Sequence, residues 1–150
     1  MKIIIDGDAT PKEVRKICEE ESRKRGIELV LVCSFDHEIS EEYRVVKVSK
    51  GNDAADYKIV EIFQKGDILI TQDYGLASLV LNKSTAVINP SGFLYSEGNI
   101  DNLLHSRYIG QKVRRSGGKT KGPAKRNRKD DENFSIELKK ILDSLDENYK

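Results

Sequence analysis

The first 90 residues alternate short apolar runs with segments of helical spacing, and this alternation constrains the fold more than any other feature. The apolar runs predict strands, and the segments between them predict helices. The predicted strands are residues 2–6, 29–33, 44–48, 67–71 and 85–88. Strands and helices that alternate at this spacing are typical of a parallel sheet with right-handed crossovers. We therefore predict an α/β fold with a mainly parallel central sheet of four to five strands, flanked by helices.

The first helix carries start and stop signals. Thr10 can cap it, Pro11 suits the first helical position, and Glu13 would complete a capping box. Gly26 is expected to end this helix. Further helices are predicted over residues 54–64, 74–82, 99–113 and 134–145.

Charge is segregated along the chain and suggests how it is organised. The net charge is +1 overall, but residues 1–106 carry −5, residues 107–129 carry +10 and residues 130–150 carry −4. A chain of 150 residues is expected to form one domain with a short appendage. We predict an α/β domain over residues 1–113, a mobile basic Gly/Lys/Arg-rich loop over 114–130, and a C-terminal helix over 131–150 that packs on the same domain.

Several classes of protein are disfavoured. No apolar run approaches the roughly 20 residues of a membrane span, and the N-terminus lacks the apolar core of a signal peptide. The two cysteines, Cys18 and Cys33, are too few for a disulfide scaffold. Two histidines make a His-based zinc site or a Ser–His–Asp triad improbable. We expect a cytoplasmic protein with reduced thiols and no membrane partner.

Aspartates follow three of the predicted strands. Asp6 and Asp8 follow the first strand, Asp53 and Asp56 the third, and Asp73 the fourth. The carboxyl ends of parallel strands meet at one edge of a sheet, where functional residues gather. Clustered carboxylates repel one another unless a cation neutralises them, and hard oxygen ligands suit Mg²⁺ or Mn²⁺. Such ions support phosphodiester hydrolysis, so these five aspartates are the predicted metal ligands.

Each acid also has a structural interpretation. Asp53 and Asp56 could cap the helix that they begin and complement its dipole, and Asp73 could cap the next helix. Asp6 and Asp8 could belong to a surface turn. Asp67 stands at the start of its strand, on the opposite edge of the sheet, and is expected to be structural.

The order Asp-x-Asp-x-Thr after an apolar strand, here Asp6 to Thr10, also resembles the opening motif of haloacid-dehalogenase-like phosphatases. In that superfamily the first Asp is a nucleophile and the second a general acid/base. Its later Gly-Asp motif follows a strand, whereas Gly66 and Asp67 precede one. This interpretation is therefore a lesser alternative.

Four motifs occur in an order that resembles the YaiI/YqxD family. They read DGDATP at residues 6–11, GNDAAD at 51–56, GDILITQDYGLA at 66–77 and NPSG at 89–92. The resemblance continues through Arg107 and residues 114–123 to Phe134, and so covers nearly the whole chain.

That family is placed among PIN-like domains, so the resemblance implies a three-layer PIN-like fold that binds Mg²⁺ or Mn²⁺ and cleaves RNA or other nucleic acid. By motif, Asp6 matches the first PIN-like acid, Asp53 or Asp56 an acid at the start of the central helix, and Asp73 the acid after the Thr-ending strand. Asp8 belongs to the family's own motif. We take Asp6, Asp8, Asp56 and Asp73 as the predicted catalytic residues.

The basic segment, residues 107–129, holds ten positive charges, no acidic residue and four glycines. Such a segment favours phosphate groups, and RNA or single-stranded nucleic acid is the expected partner. The predicted substrate-binding residues are Asn89, Arg107, Arg114, Arg115 and Lys119. The segment could instead be a solvated loop, or could fold back onto the acidic body. The sequence leaves open a nuclease, a non-catalytic RNA- or nucleotide-binding module, and the phosphatase.

Overall fold

Within the described residues, the sheet consists of five parallel strands, as the alternation in the sequence predicts. The computed structural model describes residues 1–34, 42–51, 53–115 and 125–148, with the backbone alone for 107–115, 147 and 148. The strands are β1 (Lys2–Asp6), β2 (Glu28–Cys33), β3 (Arg44–Lys47), β4 (Ile68–Ile70) and β5 (Ala86–Ile88). Their order across the sheet is β3-β2-β1-β4-β5, and each neighbouring pair is parallel.

In the part of the chain that the structure describes, five α-helices cover the sheet. They are α1 (Lys12–Arg25), α2 (Ala54–Ile62), α3 (Tyr74–Val80), α4 (Glu97–Arg115) and α5 (Arg128–Asn148). One-residue alternation along the strands divides the core in two: Ile3 and Ile5 pack with α1 and α5, whereas Ile4 packs with α2, α3 and α4. The three-layer α/β prediction is confirmed. In the described part of the chain, no helix is both long enough and apolar enough to cross a membrane.

The start of α1 differs from the predicted capping box. The helix begins at Lys12, with Pro11 at the N-cap position and no side-chain cap. The Thr10 hydroxyl instead donates a hydrogen bond of 2.6 Å to the carbonyl oxygen of Asp6. A short 3₁₀ turn, Gly7–Ala9, places Thr10 back beneath the end of β1, which gives its hydroxyl a buried acceptor. The end of this helix is as predicted, because Gly26 adopts the left-handed conformation with φ of 65°.

The basic segment begins and ends within helices. Helix α4 continues through Arg114 and Arg115, and α5 begins at Arg128, so the predicted loop over 114–130 is helical at both ends. A reciprocal pair explains the early start of α5, because the backbone N–H of Asp130 donates to Asn127 and that of Asn127 donates to Asp130. Of the rest of the predicted mobile loop, residues 125–127 have no regular secondary structure and residues 116–124 lie outside the described residues.

The strand order creates a topological switch point between β1 and β4. The chain builds the sheet outward from β1 through β2 to β3, then crosses to the other side of β1 to add β4 and β5. In open parallel sheets, the crevice beyond the carboxyl ends of the two strands at such a point is where ligands bind. This rule directs attention to the residues that follow β1 and β4.

Candidate functional site

A buried carboxylate lies at the switch point. Asp6 ends β1 and Thr71 follows β4, the neighbouring strand. The Thr71 hydroxyl donates a 2.8 Å hydrogen bond to Oδ2 of Asp6, and its oxygen accepts one of 3.0 Å from the backbone N–H of Asp73. Asp6 is only 5% exposed. The end of β4 thereby fixes the orientation of the Asp6 side chain.

Asp8 is held across the sheet by Ser34, the residue after β2. The backbone N–H and the hydroxyl of Ser34 donate to the two carboxylate oxygens of Asp8, at 2.8 and 2.6 Å. Gly7 allows this approach, because a Cβ there would lie 2.7 Å from Cδ1 of Leu31 and 2.9 Å from the carbonyl oxygen of Val32. The Asp-Gly-Asp order therefore has a steric reason at its middle position.

The three remaining aspartates begin helices α2 and α3. Asp73 is a true cap, since its Oδ1 accepts a 3.1 Å hydrogen bond from the backbone N–H of Leu76. Asp53 occupies the N-cap position of α2 in the left-handed region, with φ of 65°, but its side chain caps nothing. Asp56 lies in the first turn of α2 and shares a hydrogen bond with Asp73. The capping interpretation thus accounts for Asp73 but not for the side chain of Asp53.

All five predicted aspartates line one cavity of about 260 Å³, which we call the acidic cleft. None of the described residues lining it is a lysine, arginine or histidine. The other polar side chains in its wall are those of Ser34 and Ser49. The sequence thus identifies the acids that the fold brings together.

Two carboxyl groups in the acidic cleft, those of Asp6 and Asp56, have a raised pKa. Burial raises the pKa of Asp6, and the nearby charges of Asp73 and Asp8 raise it further, against the opposing hydrogen bond from Thr71. The pKa of Asp56 is raised to about 6, first by burial and then by repulsion from Asp73, Asp6 and Asp53. Negative charge is therefore concentrated in the cleft without a compensating cation from its walls.

The donor set of the acidic cleft suits a hard divalent cation, because Mg²⁺ and Mn²⁺ prefer carboxylate oxygens. The present side-chain positions, however, do not form a ready chelate. Within the described ranges, no three acidic, histidine or cysteine side chains converge in an arrangement that could hold a metal ion. Ligation by three of the aspartates would require rotation of their side chains.

Asn89 organises the turn after β5 and does not line the acidic cleft. Its Oδ1 accepts hydrogen bonds of 2.8 Å from both the backbone N–H and the hydroxyl of Ser91, and its Nδ2 donates to the hydroxyl of Tyr95 at 2.9 Å. Tyr95 in turn donates to the carbonyl oxygen of Thr71 at 3.1 Å. Asn89 therefore supports the end of β4 from behind, and its assignment to substrate binding stays a prediction.

Three of the four basic residues predicted to bind phosphate lie on α4, and the fourth lies outside the described residues. Arg107, Arg114 and Arg115 belong to α4, whose backbone alone is described from residue 107 onward, and Lys119 lies outside the described residues. The first turns of α4 are anchored in the core, because Ile100 and Leu103 pack in the same cluster as the apolar residues of α3. The roles of these four basic residues stay predictions.

Two residues that the sequence analysis leaves without a role orient the acids. Thr71 fixes Asp6, and Ser34 fixes Asp8. The signal for Thr71 is its position two residues before Asp73, at the end of a buried strand. Ser34 has an equivalent signal, because it directly follows β2, whose carboxyl end lies beside that of β1.

The phosphatase alternative gains no support from the fold. Its later motif would need an acid near Asp6, but Asp67 lies at the opposite edge of the sheet, before β4. There Asp67 is buried in an ion pair with Lys2, with Nζ and Oδ2 at 2.6 Å. No acid of a Gly-Asp motif therefore joins Asp6 from this strand.

Fold and site together define a three-layer α/β protein with an acidic cleft at the switch point of a parallel sheet. The model of the uncharacterised YaiI/YqxD family matches residues 4–144, and the chain belongs to this family. No solved structure matches the chain.

Relatives align over most of their length. A UPF0178 protein of Clostridium kluyveri is 43% identical over 143 residues, which cover 95% of this chain and 93% of the relative. A UPF0178 protein of Enterococcus faecalis is 48% identical over 127 residues, covering 82% and 84%. A third, from Ruminiclostridium cellulolyticum, is 42% identical over 139 residues, covering 92% and 90%.

Proposed function

We propose that this protein is a Mg²⁺- or Mn²⁺-dependent phosphodiesterase that hydrolyses RNA or other nucleic acid at the acidic cleft. The observation that carries the proposal is the convergence of five aspartates, from the ends of three separate strands, on one cavity whose described walls provide no positive charge. The position of this cavity at the switch point agrees with it. So does the resemblance of the motifs to PIN-like domains.

The aspartates have distinct tasks in this proposal. Asp6, Asp56 and Asp73 hold the cation, and Asp8 and Asp53 provide further oxygen atoms at the rim. Such a cation, when bound, supplies an activated water molecule and stabilises charge on the leaving oxygen. Thr71 and Ser34 keep Asp6 and Asp8 oriented through the hydrogen bonds described above. Asp56, with a pKa of about 6, must lose its proton first, so cation affinity is expected to rise as the pH increases through 6.

The basic segment supplies the contacts to the substrate backbone in this proposal. Arg107, Arg114, Arg115 and Lys119 would bind phosphate groups, for which charge matters more than precise geometry. These basic residues would neutralise the phosphates next to the negatively charged acidic cleft. A polyanion could then approach the five carboxylates. Binding of RNA is therefore expected to weaken steeply as the salt concentration increases.

The test is cleavage of labelled RNA and single-stranded DNA with Mn²⁺, with Mg²⁺ and with EDTA. We expect the Asp6→Asn/Asp73→Asn double variant to lose activity by at least about 100-fold, because both substitutions remove anionic ligands. Asp101→Asn is the matched control, since Asp101 is an exposed acid on α4. Equal trace activity in the wild type and the double variant, or activity unaffected by EDTA, would overturn the proposal.

A second candidate is a non-catalytic RNA- or nucleotide-binding module with the same fold. It is favoured by one observation, that no three of the described acids, histidines or cysteines already form a metal site. Salt-dependent binding of RNA without cleavage under any metal condition would support this candidate. Cleavage that depends on Asp6 and Asp73 would exclude it.

A further inference from the structure

A second cavity, of about 560 Å³, opens between α2 and α3 beside the acidic cleft. Asp53, Asp56 and Asp73 line both cavities, so the two lie side by side. Beyond these shared acids, the wall of the second cavity is largely apolar. We call it the α2–α3 groove; its apolar side chains are Tyr57, Val60, Leu76 and Leu79.

Two large apolar side chains of this groove are open to water. Tyr57 is 73% exposed and Leu79 is 65% exposed. A contiguous apolar patch with a polar rim is typical of a binding surface. Here the rim is acidic on the side of the cleft, and Glu61 adds a further carboxylate.

We propose that the α2–α3 groove binds an unpaired nucleobase of a single-stranded nucleic acid, with the ring of Tyr57 as its stacking surface. This inference rests on the proposed function, because it assigns the nucleotide beside the phosphodiester that the acidic cleft would bind. It narrows the substrate class from nucleic acid in general to single strands.

Charge favours a base over a phosphate in the groove. The carboxylates of Asp53, Asp56, Glu61 and Asp73 would repel a phosphate that has no cation beside it, whereas their oxygen atoms can accept hydrogen bonds from the N–H groups of a base. Tyr57 offers an aromatic face, and stacking of a base on such a face tolerates every base. A neutral, flat ligand with N–H donors therefore matches both the aromatic face of Tyr57 and the acidic rim of the groove.

The three shared acids place the two cavities side by side, as the base and the phosphate of one nucleotide would require. Tyr57 directly follows Asp56 in the first turns of α2, and Gly75 lies between Asp73 and Leu76 at the start of α3. Gly75 leaves space beside Asp73, because a Cβ at this position would lie 3.1 Å from Oδ1 of Asp73. A base on Tyr57 would thus leave its phosphate facing the aspartates. A base inside a duplex cannot reach this position without being unpaired.

The test measures binding separately from cleavage. Fluorescence anisotropy would follow a short fluorescein-labelled single-stranded RNA, the same strand carrying abasic residues, and the corresponding duplex, with Ca²⁺ in place of Mg²⁺ and intact strands verified on a gel. Tyr57→Ala is expected to weaken binding of the single strand about ten-fold, and Tyr57→Phe is expected to restore it because the ring is kept. Ile136→Ala, which alters an exposed apolar residue on α5, is the control.

Several outcomes would overturn the inference. The first is that Tyr57→Ala binds the single strand as tightly as the wild type does. The others are that the wild type binds the abasic strand, or the duplex, as tightly as the intact single strand. Sedimentation that shows a dimer dissociating in Tyr57→Ala, with RNA binding unchanged, would assign the groove to a second copy of the chain. Circular dichroism would confirm that the variants are folded.

Cleavage assays distinguish failure of this inference from failure of the proposed function. If both hold, Tyr57→Ala raises KM for single-stranded RNA and changes kcat little. Loss of single-strand binding in Tyr57→Ala without any metal-dependent cleavage by the wild type would support the base site and reject the nuclease. Cleavage that is lost in Asp6→Asn and unchanged in Tyr57→Ala would support the nuclease and reject the base site.

Discussion

Two buried aspartates, Asp6 and Asp67, stand at opposite edges of the sheet on neighbouring strands and have opposite surroundings. Asp67 is 1% exposed and receives the ammonium of Lys2 at 2.6 Å, the backbone N–H of Lys2 at 3.0 Å and that of Gln64 at 2.8 Å. Asp6 is 5% exposed and receives the hydroxyl of Thr71, while its charged neighbours are Asp73 and Asp8.

The difference separates an acid that the fold compensates from one that it leaves uncompensated. Burial of a carboxylate is costly unless an opposite charge and hydrogen bonds compensate it. Around Asp67 the protein supplies that compensation itself, which fits the structural interpretation made from the sequence. Around Asp6 burial and like charges raise the pKa instead, so a cation from solution would relieve a repulsion that the fold maintains.

Removing the Lys2 ammonium, which pairs with Asp67, is expected to have the largest effect on stability. Lys2→Met leaves Asp67 charged and buried, and should lower the free energy of unfolding by about 3–5 kcal/mol in a urea titration. Lys24→Met, an exposed lysine on α1, is the matched control and should change stability by less than about 0.5 kcal/mol. A loss for Lys2→Met no larger than that of the control would remove the contrast between the two edges.

Supplying a cation to the uncompensated edge should stabilise the protein. At an Mn²⁺ concentration about 100 times its dissociation constant, the free energy of unfolding is expected to rise by about 2.7 kcal/mol, measured as a higher Tm. The Asp6→Asn/Asp73→Asn variant should show no such rise, and an equal ionic strength of NaCl serves as the control. A rise of the same size in the double variant would place the ion elsewhere.

The smallest expected effect concerns the proton on Asp56. Because its pKa in the folded protein is about 6, above the usual value of 3.8, folding retains a proton that the unfolded chain releases. Stability should therefore fall as the pH rises from about 4 to about 6 and stay lower above that. Asp56→Asn is expected to be more stable than the wild type by about 1 kcal/mol at pH 8, since solvent screens part of the repulsion, and equal to it below pH 4.

Chemical denaturation across this pH range provides the measurement. Asp101→Asn is again the matched control, because it removes a carboxylate that is exposed on α4. A constant difference between Asp56→Asn and the wild type from pH 4 to pH 8 would show that repulsion within the acidic cleft does not govern the proton on Asp56.

Much of the fold follows from local patterns in the sequence. The predicted strands agree with β1 to β5 within one residue at each end, because buried parallel strands are short apolar runs bounded by turn residues. The order of the strands does not follow from such patterns, since it depends on which runs pair across the chain. The capping box at Thr10 is wrong for the same reason: its hydroxyl finds the Asp6 carbonyl, an acceptor that only the folded turn provides.

The candidate site divides in the same way. Its five aspartates are predictable, because a parallel sheet gathers the residues that follow its strands at one edge. The hydrogen bond of Thr71 to Asp6, the hold of Ser34 on Asp8 and the groove beside Tyr57 are not, because each joins segments whose contact the sequence does not specify. Tyr57 in particular has the sequence signature of an ordinary surface residue. Only its position in the fold, beside Asp56 and α3, makes it a candidate for stacking with a base.

The central position of β1 has a consequence for how the protein is made. This strand is synthesised first, yet its bond to the end of β4, from Thr71 to Asp6, spans 65 residues of chain. Contacts of such long sequence separation form late and slowly in folding. Asp73, which follows β4, consequently joins Asp6 and Asp56 only after β4 has been synthesised and has paired with β1. The repulsion that Asp73 adds to both acids therefore arises at this pairing step of the sheet.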